Sequence, residues 1–226
     1  MKGKRVFYNE LAYFTGILVL ASGTAFMERA DFGISMIVAP AYLIHLKLSQ
    51  YIPFFSFGVS EYVFQALLLA LLSLVMGKFK KSYLLSFATA IFYGTVLDVA
   101  ISIVSLIPFT GFIWQIGSYI AGFILCTIGV ALLLRTYLPP VAYELVVKEL
   151  SQKFNTTIGK TKTIYDICSC VLAITLSLCF FSSFEGIKWG TIVCAFFNGW
   201  LIGRFSKLFE KKFIFKDALP LREKLL

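Results

Sequence analysis

Six apolar stretches, each long enough to cross a bilayer, constrain this chain more than any other feature. They cover residues 10–28, 59–77, 83–107, 112–134, 163–182 and 188–205. A helix needs about 20 residues to traverse a hydrocarbon layer roughly 30 Å thick. The runs are continuously apolar instead of alternating, which selects helices over a β-barrel. The chain is 59% hydrophobic with mean hydropathy +0.85, and 226 residues cannot hide that many apolar faces in one water-soluble core. The bilayer is the expected solvent, and a multi-pass membrane protein the expected class.

Charge sets the orientation. With a cytoplasmic N-terminus, six crossings place residues 1–9, the 78–82 turn, the 135–162 segment and the tail from Arg204 on the inside, and with them 18 of the 21 lysines and arginines. Arg29, Lys47 and Lys188 alone fall outside. This is the positive-inside pattern, with both termini cytoplasmic and the plasma membrane as location. It also explains the net charge of +9, because the basic residues flank spans instead of forming a nucleic-acid patch interleaved with exposed aromatics. Lys2 to Arg5 ahead of the first apolar run could suggest a signal peptide; an equivalent run recurs mid-chain, so it reads as the first span.

The two halves repeat. Gly23, Ala25 and Arg29 match Gly129, Ala131 and Arg135 at an offset of 106, and Ala90, Phe92 and Gly94 match Ala195, Phe197 and Gly199 at an offset of 105. Three spans per half force the second copy upside down relative to the first. The expected fold is an all-α polytopic membrane protein of six transmembrane helices arranged as two inverted three-helix repeats. Residues 1–108 form one repeat, 109–209 the other and 210–226 a basic cytoplasmic tail, with the uncharged Pro108-Phe109-Thr110-Gly111 turn between the repeats. Each half adds a stretch too short to span, 33–46 and 139–150, expected as a re-entrant or interfacial helix; Pro139-Pro140 is the expected start of the second. Ala90-x-x-x-Gly94, Ala195-x-x-x-Gly199 and Gly199-x-x-x-Gly203 predict close crossing of the third and sixth spans at a pseudo-two-fold axis.

A family resemblance rests on Leu20 to Ala25 running into Arg29-Ala30-Asp31-Phe32-Gly33-Ile34-Ser35, on Ser56-Phe57-Gly58, on Tyr137-Leu138-Pro139-Pro140, and on Trp189-Gly190-Thr191 leading into Asn198-Gly199. Across residues 10–208 the chain resembles the YczE/YyaS/YitT family of bacterial integral membrane proteins. The resemblance implies a bacterial plasma-membrane protein of about six helices, with some members associated with production or export of secreted metabolites. The second half departs from the pattern, carrying Pro139-Pro140 where Asp31-Phe32-Gly33 would recur.

No enzyme motif stands out, and neither a metal nor another cofactor is expected. His45 is the only histidine, too few for a nitrogen-sulfur cluster or a Ser-His-Asp set, and the C-x-C of Cys168 and Cys170 points in two directions on a helix. All five cysteines fall in or beside apolar spans, where they read as packing residues.

Polar residues inside spans are the better clues, because a charge at the centre of a membrane helix costs about 2.5–3.5 kcal/mol on insertion scales and usually faces protein or water. Asp98 and Asn198 lead the candidates for substrate contact. Glu61 and Asp166 lie near the starts of the second and fifth spans, where they cap helices or serve a substrate or proton. Arg29 and Asp31, with Glu28, form a charged mouth at one face, and Arg135 is the counterpart at the other. Glu144 is expected on the wet face of its amphipathic helix. Two functions fit. One is a small secondary transporter or exporter of a small molecule; the other is a non-transporting membrane scaffold or regulatory factor for a biosynthesis or export complex. The expected partners are the lipid bilayer and a small-molecule substrate, with no nucleic acid and oligomerisation left open.

Overall fold

The computed structural model describes residues 5–108 and 111–219. The Phe109-Thr110 turn, Lys2, Lys4, Arg222 and Lys224 lie outside the described residues. In chain order the elements are β1 (Arg5–Tyr8), α1 (Asn9–Ala30), α2 (Ala39–Leu48), α3 (Phe57–Met76), α4 (Lys81–Ser105), α5 (Phe112–Leu133), α6 (Ala142–Lys153), α7 (Ile158–Phe181), α8 (Trp189–Lys212) and β2 (Phe213–Lys216). The helices run long, short, long, long, and then repeat that order.

Five of them, α1, α3, α4, α5 and α7, are long and apolar enough to cross a membrane. The chain is thus a multi-pass, predominantly helical membrane protein. Helix α8 has the length, 24 residues, but carries Asn198, Arg204, Lys207 and a basic end, and is not among the five. Large apolar side chains line the outside, including Leu74, Ile113 and Phe196, each more than three-quarters exposed, as lipid-facing positions should be.

Local chemistry sets the helix ends. Ser56 caps α3 by accepting from the Val59 N–H at 3.1 Å, and Thr157 caps α7 by accepting from Lys160 at 3.4 Å. Helix α3 stops at Gly77 in the left-handed conformation. Pro40 sits in the first turn of α2, where its missing N–H costs nothing. Pro139 and Pro140 instead precede α6, which starts at Ala142; their carbonyl oxygens accept from the Thr89 hydroxyl at 3.1 Å and the Ser86 hydroxyl at 2.7 Å, pinning the loop to α4.

Helices α1 and α5 form the central seam. A Cβ on Gly23 would lie 2.6 Å from the Gly122 carbonyl oxygen, and one on Gly129 would lie 2.8 Å from that of Gly16. Two backbones therefore touch where no side chain fits. The pairing of 16 with 129 and of 23 with 122 means that the helices run antiparallel. The predicted crossing of spans three and six does not form: Gly199 and Gly203 face open space, and Gly94 packs instead against Gly58 of α3.

The remaining contacts exchange between halves. Helix α4 lies along α1 as α8 lies along α5; α2 packs on α3 as α6 does on α7; and α2 reaches across to α7 as α6 reaches across to α3. At one end, β1 and β2 pair in parallel, Arg5 opposite Phe213 and Tyr8 opposite Lys216. That pairing brings the start of α1 beside the end of α8. Glu10 completes the clasp, its carboxylate accepting from the Ala218 N–H at 2.9 Å, the Leu219 N–H at 3.1 Å and the Tyr137 hydroxyl at 2.7 Å. The basic tail is thus docked through Leu219.

Candidate functional site

A cavity of about 60 Å³ lies inside the helix bundle, walled by α1, α4, α5, α6, α7, α8 and the chain leading into α2. Twelve of its 17 lining residues fall into pairs. Leu20 and Cys126, Thr24 and Val130, Ser35 and Val141, Ile37 and Tyr143, and Val38 and Glu144 all line it, and each pair is separated by 106 residues. Tyr93 and Asn198, separated by 105, line it as well. These are the two offsets of the repeat expected from the sequence.

The lining is mostly apolar with a few polar groups. Thr24, buried on α1, lies 3.0 Å from the Tyr93 hydroxyl. Cys194 lies 2.9 Å from the Tyr119 hydroxyl behind the wall. Tyr143, on the first turn of α6, donates to the Glu61 carboxylate at 2.9 Å, and Gln65 donates to the same oxygen at 3.1 Å. The Gln65 carbonyl oxygen in turn accepts from the Ala142 N–H at 2.9 Å. Glu61, Gln65 and Tyr143 thereby fasten α3 to the start of α6, and the second oxygen of Glu61 has no hydrogen-bond partner. Burial and the neighbouring carboxylate push the Tyr143 hydroxyl well above its ordinary range.

Glu144 corrects the sequence reading. It faces the cavity instead of water, with one carboxylate oxygen buried and without a hydrogen-bond partner. Burial pushes its carboxyl above the usual range, Lys162 opposes that shift, and Asp166 adds to it. Lys162 also lines the cavity and pairs with Asp166 at 3.7 Å, one helical turn along α7.

The candidates picked from sequence fall in different places. Asn198 is on the cavity wall. Glu61 is one hydrogen bond behind it through Tyr143, and Asp166 is one ion pair behind it through Lys162. Asp98 accepts from the Gly58 N–H at 2.8 Å and from the Ser56 hydroxyl at 2.5 Å, so its carboxylate holds the start of α3. Asp31 pairs with Lys188 at 2.7 Å, next to the Gly190 N–H that donates to the Phe32 carbonyl at 2.8 Å; these contacts bind the α1–α2 loop to the head of α8. Arg29 is exposed, and Arg135 pairs with Glu210 near the β1–β2 clasp. His45 donates to the Phe55 carbonyl at 2.8 Å and stacks on Phe57.

Sequence reasoning missed Thr24, Tyr93, Tyr143, Glu144 and Lys162. The repeat offset could have found three of them: applied to Asn198 it points to Tyr93, and applied to Ile37 and Val38 at the head of α2 it points to Tyr143 and Glu144.

Searches of curated proteins and of solved structures find no match to the chain. A family model matches residues 7–207, spanning both halves and every cavity residue. The chain therefore belongs to the family of unknown function DUF6198.

Proposed function

We propose that this protein is a small secondary transporter of the bacterial plasma membrane, built as two inverted repeats of three spans with α8 as the sixth. Helices α2 and α6 are the re-entrant pieces, and the substrate site is the central cavity. The observation that carries the proposal is the cavity lining, drawn from equivalent positions of both halves. Inverted-repeat transporters bind their substrates at the repeat interface beside short or broken helices, and move them by rocking one repeat against the other. The antiparallel α1–α5 seam supports inversion, since an axis in the membrane plane reverses each helix relative to its equivalent. The β1–β2 pairing supports six crossings, because an even number returns the chain to its starting side. On this reading the likeness to the YczE/YyaS/YitT proteins reflects common descent.

Contacts hold both ends of the bundle shut. The β1–β2 ladder and the Glu10 clasp lie at one end, and the Asp31–Lys188 pair and the Gly190–Phe32 hydrogen bond at the head of α8. The protein is then in an occluded form. Its 60 Å³ cavity has room for about two water-sized groups. A ligand of drug size would need several times that space. A cavity that Asn198, Thr24 and Glu144 reach with polar groups favours transport over the scaffold reading, in which the interior would pack dry.

Thiol labelling tests this. Cys126 and Cys194 line the cavity, and the other three cysteines can be changed to serine. In sealed vesicles of known orientation, a membrane-impermeant maleimide should label Cys126 or Cys194 from either side. Labelling from one side only would leave a binding pocket without transport, and labelling from neither would return the scaffold reading.

A further inference from the structure

The charges around the cavity do not balance. Lys162 is the cation for two carboxylates, Asp166 at 3.7 Å and Glu144, and the Glu144 carboxylate in the lining keeps a buried oxygen lacking any hydrogen-bond partner. Two short helices also begin here, and their positive ends could draw an anion. Several of the N–H groups at these starts are already occupied. Ala142 donates to Gln65, Val38 and Ala39 both donate to the Ser35 carbonyl, and Pro40 has no N–H to offer. Glu144 itself sits in the first turn of α6, where its charge complements that helix end.

From this arrangement we infer that the cavity binds a small monovalent cation, with the Glu144 carboxylate as its counter-ion. The inference rests on the transporter reading for the site and adds its ligand class. The cation completes the unpartnered oxygen. The Thr24 and Tyr93 hydroxyls and the Asn198 amide supply further oxygen atoms, and the Tyr93 and Phe123 rings line the same space. The volume suits ammonium, a methylammonium-sized amine or a largely dehydrated alkali ion, and it rejects bulky organic cations.

Protons compete at the same carboxylate. Burial holds the Glu144 proton more tightly than in an ordinary carboxyl, so raising the pH through that elevated range frees the site and strengthens cation binding. The ionisable groups that act on α6 residues from the elements packed against it include Glu61 on α3, Tyr83 and Tyr93 on α4, Lys80 just before it paired with Glu149, and Lys162, Tyr165 and Asp166 on α7. Glu144 alone among them is both in the lining and left with an unpartnered carboxylate oxygen.

The test is thermal stabilisation of the purified full-length protein by ammonium, methylammonium, sodium or potassium chloride, with N-methylglucamine chloride keeping ionic strength constant. At least one small cation should raise the melting temperature saturably, more strongly at alkaline than at acidic pH. Glu144→Gln, nearly the same shape, should weaken the apparent affinity at least about tenfold, the loss expected for a charged hydrogen bond. Asn198→Ala should weaken it less, and gives a second reading should Glu144→Gln fold poorly. Comparison of the nitrogen cations with the alkali ions tells which kind the site selects. No saturable shift beyond N-methylglucamine, or an equal shift in both variants, would overturn the inference. So would a saturable response to the anion at fixed cation. One-sided thiol labelling with intact cation binding would instead reject transport and keep the site.

Discussion

The two halves of the molecule share an order of helices and most contacts between them, but their last two helices pack differently. In the first half α3 lies against α4, with Gly58 and Gly94 so close that a Cβ on Gly58 would meet the Gly94 carbonyl oxygen at 2.0 Å. In the second half the counterpart of Gly94 is Gly199, which faces open space, and among the described residues α7 and α8 have no comparable contact. The first half is a closed pair, whereas the second spreads its last two helices and leaves Ile164, Ile167, Val171, Phe196 and Trp200 exposed. The order of helices is the same in both halves, and the approach of the last two helices differs. Chemistry has diverged as well: where the second half puts Glu144 on the cavity wall, the first has Val38.

Substitutions can break this comparison in order of expected effect. Gly23→Leu attacks what the halves share, since the α1–α5 seam has no room for a side chain, and it should cost about 3 kcal/mol or prevent folding altogether. Loss of monodisperse protein in size-exclusion chromatography is the measurement. Gly94→Leu and Gly199→Leu compare the halves at one equivalent position. The first should cost about 2 kcal/mol by overpacking against Gly58, and the second should stay within about 0.5 kcal/mol of wild type in thermal melts. Equal costs would mean that the second half closes as the first does.

Asp98→Asn sharpens the assignment of a polar residue inside a span. With the Ser56 hydroxyl and the Gly58 N–H as its partners, Asp98 should act on stability, at about 1–2 kcal/mol, while small-cation stabilisation keeps its apparent affinity. A loss of affinity with unchanged stability would give Asp98 a place in the site. Glu10→Gln should have the smallest effect, replacing a carboxylate that holds two tail N–H groups by a neutral amide. Faster proteolytic cleavage around residues 213–219, with an unchanged melting temperature, is the expected result.

Much of the fold was legible because membrane solvation writes itself into sequence. Every apolar stretch became a helix, and the two short stretches became α2 and α6, since a bilayer demands long apolar runs with internally satisfied backbones. The site was legible in part. Asn198 was found because a polar residue within an apolar span stands out. Glu144 was missed because a twelve-residue amphipathic helix with a charged residue looks like any surface helix. Asp98 stood out for the same reason as Asn198, yet its partners are the head of α3, which no local pattern announces.

The sequence by itself determined the class of the molecule and the order of its long and short helices, because these follow from run length and composition. Only the tertiary structure decided which glycines form the seam, which polar residues meet, and that Glu144 turns inward. Such contacts join residues about a hundred positions apart, as Gly23 joins Gly122, and depend on how closely two backbones approach. That is a property of packed volume in three dimensions, and no periodicity along the chain records it.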